Sequence, residues 1–134
     1  MSTTKTTLTA LSPLDGRYSA KLTELASIFS DVALTKNRVL VEVEYLIFLS
    51  TKKLIGRFSA DQKRQLRSMV AQFSEVEAQQ VQEIERQTKH DVKAVEYFLR
   101  EYLKKNHLPN EASEHLCLTS EDVYSLAYGH NFRK

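Results

Sequence analysis

Residues 91–105 read DVKAVEYFLREYLKK. Val92, Val95, Phe98, Leu99, Tyr102 and Leu103 recur three and four positions apart, which sets them on one stripe of an α-helix. Lys104 and Lys105 close the segment, where the negative end of the helix dipole favours cations. Asp91 reads as the N-cap, with Lys89 and His90 just ahead of it.

Working outward, the same local grammar recurs. Ser59 with Gln62, and Ser74 with Glu77, stand at capping-box spacing, and the second pair opens a helix carrying Val81 and Ile84. The stretch from Asp31 to about Lys52 is ambiguous, because Val41 to Tyr45 alternate like a strand while Val39, Val43, Leu46 and Ile47 fit a helix face. Length decides for helix, since the pattern outruns a strand of about five or six residues. Ser30 is its cap and Gly56 its stop. Further upstream, Asp15 and Gly16 mark a turn, and Leu22, Leu25, Ala26 and Phe29 form one face of a short helix.

Downstream, Asn106, Pro109 and Asn110 break the chain. A last helix starts near Thr119, with Asp122 at the third position and Val123, Leu126, Ala127 and His130 on one face. The reading is an all-α chain of about six helices. It comprises a flexible tail over residues 1–10, a helical domain over 11–118, and the start of a next helix over 119–134. No internal repeat, heptad array or low-complexity tract interrupts it.

Composition agrees with this reading. The 134 residues include three Gly and two Pro, and 42% are hydrophobic, enough for one modest core. The net charge of +2 comes from 19 basic and 17 acidic residues scattered along the chain. With no basic stripe or interleaved aromatics, neither nucleic acid nor an anionic membrane is an expected partner. The longest apolar run, Tyr45 to Leu49, is far shorter than a bilayer span of about 20 residues. Cys117, the lone cysteine, stands between Leu116 and Leu118 and reads as a small buried residue. Without a disulfide partner or an apolar signal region after Met1, the expected compartment is the cytoplasm.

CxxC, HExxH, Gly-rich phosphate-loop and G-x-S-x-G motifs are all absent, so metal hydrolysis, P-loop chemistry and α/β-hydrolase chemistry lack support. Three short polar motifs remain. In DGRY, residues 15–18, a tight turn presents the Arg17 guanidinium and the Tyr18 hydroxyl, a pairing suited to carboxylate or phosphate. The bland alternative is a turn with a surface Arg and a packed Tyr. In KHDV, residues 89–92, Lys89 and His90 stand at the positive end of a helix, which suits an anion; a plain capping loop is the alternative. In TSED, residues 119–122, Thr119 and Ser120 place hydroxyls at another helix start, although Thr-x-x-Asp is also an ordinary cap. Three such sites in one short chain suggest convergence on one ligand with several negative groups. His107 and His115 lie eight apart, which is no metal spacing, and no metal is assigned.

Three segments together, LSPLDGRYSAKLTELASIFSDVALTKNRVLVEVEYL, ERQTKHDVKAVEYFLREYL and HLCLTSEDVYSLAY, resemble in content and order the amino-terminal part of bacterial adenylosuccinate lyases. These belong to the fumarase and aspartase superfamily. The resemblance implies an all-helical homotetramer that removes fumarate from adenylosuccinate, and from the succinylated carboxamide ribonucleotide of purine synthesis, without metal or organic cofactor. The implied partner is a purine nucleotide substrate. Carried over by motif, Arg17 and Tyr18 bind substrate, with its phosphate as the contact. Lys89, His90 and Asp91 belong to the substrate site, and Thr119 and Ser120 hold the succinyl carboxylate. His90 is the expected catalytic group, binding phosphate or assisting proton transfer.

Some positions depart from that pattern. Lys89 replaces an Asn of the close branch, Tyr124 and Ser125 replace an Asn pair after TSED, and the segment before His115 is about two residues short. The family's Thr-His-Gly-Gln segment with its acid, and its Ser-rich loop with its base, are not in these 134 residues. The chain alone is therefore expected to be inactive, each such group contributing about 10² to 10⁴-fold. Two other readings stand beside this one: a non-catalytic helical interaction module derived from the family, and a small helical domain whose motifs are only caps.

Overall fold

The computed structural model describes residues 7–133. It is all-α, as the periodicity requires. The six helices are α1 (Thr23–Phe29), α2 (Asp31–Thr51), α3 (Ala60–Ala71), α4 (Glu75–Thr88), α5 (Asp91–Lys105) and α6 (Ser120–Asn131), and no strand occurs among the described residues. Single 3-10 turns lie at Thr7–Thr9 and Ser19–Lys21. The first six positions of the expected flexible tail lie outside the described residues.

The caps of α2, α3 and α4 are where sequence spacing put them. The Ser30 hydroxyl accepts from the Ala33 N–H at 3.3 Å. Ser59 and Gln62 exchange bonds of 2.8 and 3.1 Å, and Ser74 N–H donates to the Glu77 carboxylate at 2.7 Å. Each cap satisfies backbone groups that the helix leaves open, worth about 0.5–2 kcal/mol.

The stop after α2 differs from expectation. Lys53, at φ 62°, makes the left-handed turn, and Gly56 has no positive φ. The Lys53 and Leu54 N–H groups reach back to the Ser50 and Leu49 carbonyls at 3.1 and 3.0 Å, which closes the helix before Gly56 is reached. Gly56 serves a different need. A Cβ there would stand 2.7 Å from the Asn110 side-chain oxygen, and the Asn110 amide donates to the Gly56 carbonyl at 2.8 Å.

Helix α2 touches all five other helices. Its Val39, Val43, Leu46 and Ile47 meet Leu66 and Val70 of α3, Ala78 and Val81 of α4, and Val95, Phe98, Leu99 and Leu103 of α5 in one core. Phe73 and Phe98 pack edge to face with centroids 6.0 Å apart, an arrangement worth about 0.5–1.5 kcal/mol beyond burial.

Three inward assignments are corrected. On α6 the buried stripe is Val123, Ala127 and Asn131, and Leu126 and His130 face outward. The helix is rotated because buried Asn37 on α2 donates its side-chain amide to Asn131, so a polar residue has a reason to point in. Cys117 is exposed. It and His115 take left-handed φ values of 62° and 60° in the loop before α6. Helix α1 buries no residue, and its Phe29 meets only the Phe132 ring, at 5.5 Å, among the aromatics.

A buried charge accompanies the core. Glu42 on α2 has no exposed surface, and the His115 Nδ1 stands 2.5 Å from its carboxylate. Burial pushes the Glu42 carboxyl above its ordinary value, against the opposing pull of His115.

Two outcomes follow from this packing. Leu99 has no exposed surface, so Leu99→Ala should cost about 2–5 kcal/mol, read as a lower urea midpoint at unchanged slope. A carboxyl with a raised folded-state pKa contributes stability below its ordinary value and loses it as pH rises through the folded value. The difference in Tm between Glu42→Gln and the natural chain should therefore move in favour of the Gln variant as pH climbs above 4.5. A constant difference across that range would count against the raised carboxyl.

Candidate functional site

Helix α4 ends at Thr88; Lys89 caps it with a φ of 55° that lets the chain reverse, and His90 follows in an extended conformation before α5 begins. The cap of α5 is not Asp91, as the sequence suggested, but His90. Its Nδ1 accepts from the Lys93 N–H at 3.2 Å. Asp91 is instead the first helical residue, and its carboxylate is drawn sideways. Oδ1 accepts from the Tyr124 hydroxyl at 2.5 Å and from the Val92 N–H at 2.8 Å. Oδ2 pairs with the Arg38 guanidinium at 3.0 Å. Arg38 also lies over the Tyr124 ring, 4.8 Å from its centroid, a cation–π contact. One carboxylate thus ties α5 to α2 and α6.

The electrostatics follow from those contacts. Burial alone would raise the Asp91 carboxyl, but the Tyr124 hydroxyl, the Val92 N–H and the Arg38 charge together hold it below its ordinary value. Burial first, and then the bond to Asp91, pushes the Tyr124 phenol up to about 12.

At the start of α6 the capping reading applies to half of TSED. The Thr119 N–H and hydroxyl both donate to the Asp122 carboxylate, at 2.7 and 2.8 Å. The Asp122 N–H returns to the Thr119 hydroxyl at 3.4 Å. The Thr119 backbone and side chain hold the Asp122 carboxyl below its ordinary value. Ser120 takes no part in that box. Its Oγ stands 3.5 Å from the His90 Nε2, so the starts of α5 and α6 meet at these two side chains. A cleft of about 600 Å³, whose lining includes Lys89 and Asp91 but neither His90 nor Ser120, also holds Arg38, Arg86, Asp31 and Glu85.

DGRY lies elsewhere. Asp15 accepts from the Ser12 and Leu11 N–H groups at 2.7 and 3.3 Å, and Tyr18 N–H bonds the Pro13 carbonyl at 3.0 Å. Arg17 stacks on Tyr18 at 4.9 Å and lines a separate depression of about 270 Å³ with Leu8, Leu11 and Pro13. Neither Arg17 nor Tyr18 bonds to His90, Asp91, Thr119 or Ser120. The structure therefore joins KHDV to TSED and leaves DGRY apart.

Sequence spacing missed two groups that build this junction. Arg38 is one. The other is His115, which lies between Glu42 and Glu96, its Nε2 being 3.8 Å from Glu96, while Lys93 pairs with Glu96 at 2.7 Å. Glu42 was findable, because it falls three after Val39 and four before Leu46, on the stripe those residues bury. Among the described residues no set of three or more His, Cys, Asp or Glu is placed to hold a metal, and no helix is long and apolar enough to cross a membrane.

Known proteins are similar to this sequence. No family profile matches the chain. An adenylosuccinate lyase of Haemophilus influenzae is 47% identical over 127 residues, covering 91% of this chain and 28% of the relative. One from Escherichia coli K12 is 45% identical over 126 residues, and one from Dictyostelium discoideum 42% over 130. The chain thus spans little more than a quarter of the length of these relatives. With that identity along nine-tenths of its length and an all-helical architecture, the chain belongs to the adenylosuccinate lyase family and matches its amino-terminal region.

Proposed function

We propose that this chain is the substrate-binding amino-terminal part of a lyase that eliminates fumarate from adenylosuccinate, and from the succinylated carboxamide ribonucleotide, in purine biosynthesis. The meeting of two helix starts carries the reading: the His90 Nε2 and the Ser120 Oγ stand 3.5 Å apart. Helix starts offer unpaired N–H groups and a positive dipole end, and both substrates carry carboxylates and a phosphate. Ser120 serves the succinyl carboxylate, and His90 a carboxylate or phosphate oxygen. Lys89 adds a cation from the adjoining cleft. Asp91 and Thr119 support these groups from beneath, through the Arg38 and Tyr124 clamp and the capping box.

Arg17 and Tyr18 contact the nucleotide phosphate in this reading. Because they stand apart from His90 within one chain, they serve a site completed by another subunit of a homotetramer. The parent enzyme works in the cytoplasm and needs no metal. Alone, these 134 residues bind without turnover, since the Thr-His-Gly-Gln and Ser-rich segments that the family assigns to proton transfer are not among them.

A second reading, a non-catalytic module that docks on another protein, is favoured by uncovered apolar side chains. Leu11, Leu25, Leu126 and Phe132 are each at least half exposed.

Turnover separates the two. In a chain extended to the length of its relatives, His90→Ala should lower kcat/KM for fumarate release by about 10² to 10⁴-fold. Unchanged turnover would defeat the site and favour the docking module. The 134-residue chain alone should release no fumarate, and measurable release would overturn the binding-only role.

A further inference from the structure

His90 has two ring nitrogens, and the fold commits one of them. Nδ1 accepts the Lys93 N–H at 3.2 Å as the cap of α5. A nitrogen that accepts a hydrogen bond carries no proton, so the proton of the neutral ring must sit on Nε2. Nε2 is the nitrogen that stands 3.5 Å from the Ser120 Oγ.

A competitor for that arrangement lies close by. The Asp91 Oδ1 is 3.6 Å from the same Nδ1. An uncommitted carboxylate oxygen at that place would draw the proton to Nδ1, because a bond to a charged acceptor is stronger than a bond from a neutral amide. The proton would then leave Nε2 and the cap would be lost. Oδ1 is not uncommitted. It already takes the Tyr124 hydroxyl at 2.5 Å and the Val92 N–H at 2.8 Å. Arg38 holds Oδ2 at 3.0 Å and stacks on the Tyr124 ring, which fixes both the carboxylate and the phenol.

We propose that Tyr124 is a positioning residue: by occupying the Asp91 Oδ1 it holds neutral His90 in the Nε2–H tautomer, so that His90 meets a ligand as a hydrogen-bond donor and not as a proton acceptor. The tautomer stands on this geometry alone, whereas its use toward an anion rests on the function proposed above. Nε2–H, the Ser120 hydroxyl and the free N–H groups of the α6 start then form one set of donors, suited to a carboxylate or phosphate oxygen.

Two-bond proton–nitrogen spectra of the 134-residue chain, labelled with nitrogen-15 in histidine and recorded at alkaline pH, read the tautomer directly. The His90 signal is identified by its loss in His90→Ala. The natural chain should show the Nε2–H pattern. In Tyr124→Phe the tautomer ratio should move toward Nδ1–H by roughly fivefold or more, the worth of one hydrogen bond, and the Lys93 amide should lose exchange protection. A natural chain protonated on Nδ1 overturns the inference even if the variant fails to fold, and so does a folded variant with an unchanged ratio. Titration with inorganic phosphate tests the other part. Shifts at the Ser120 amide and the His90 Nε2 support donation to an anion. Their absence, with the tautomer behaving as stated, overturns the anion reading and leaves the assignment of Tyr124 standing.

Discussion

A carboxylate with no exposed surface sits in the middle of α2, and the path of the chain between α5 and α6 answers to it. Taking a charge out of water costs several kcal/mol unless a partner and hydrogen bonds compensate. Among the described residues, His115 is the one side chain bonded to Glu42, and the second carboxylate oxygen has no partner. The loop after α5 must therefore return across α2 to deliver that imidazole. Thr119 and Ser120 follow four and five residues later, so the start of α6 is set down beside the start of α5.

The same economy recurs around it. Glu96 and Glu114 are also buried, and each has a base at hand: Lys93 for the first and Arg100, at 2.5 Å, for the second. Such pairs add little net stability but are costly to break from one side, so they enforce one arrangement over its alternatives. Here Arg100 with Glu114 joins α5 to the loop before α6, and His115 with Glu42 joins that loop to α2. The Asp91 clamp to Arg38 and Tyr124 adds a second tie among α5, α2 and α6.

Within the junction, capping consumes some of the polar groups and leaves others uncommitted. Thr119 and Asp122 are spent on the capping box, and the His90 Nδ1 is spent on the cap of α5. What is left is small: the His90 Nε2, the Ser120 hydroxyl and the backbone donors at the start of α6 that its capping box does not use. The three motifs thus differ in kind. KHDV and TSED each spend part of their polar groups on a cap and leave part uncommitted, and DGRY is a turn held by its own Asp15.

The stripe of α5, the capping boxes at Ser59, Ser74 and Thr119, and the all-helical class were legible in the sequence because each depends on residues no more than a turn or two apart. Family membership was legible as well, since three motifs in one order are a linear property. Where the reading failed, the missing partner was remote. Asp91 has a cap's identity but is drawn off by Tyr124, 33 positions away, and His115 has a loop residue's surroundings until Glu42, 73 positions away, is placed. Asn131 turns inward to meet Asn37 across 94 positions. Local periodicity and capping determine which residues become helix. Which of the polar groups at the helix ends are consumed and which stay uncommitted was decided only by packing, because hydrogen-bond partners are chosen by proximity in space.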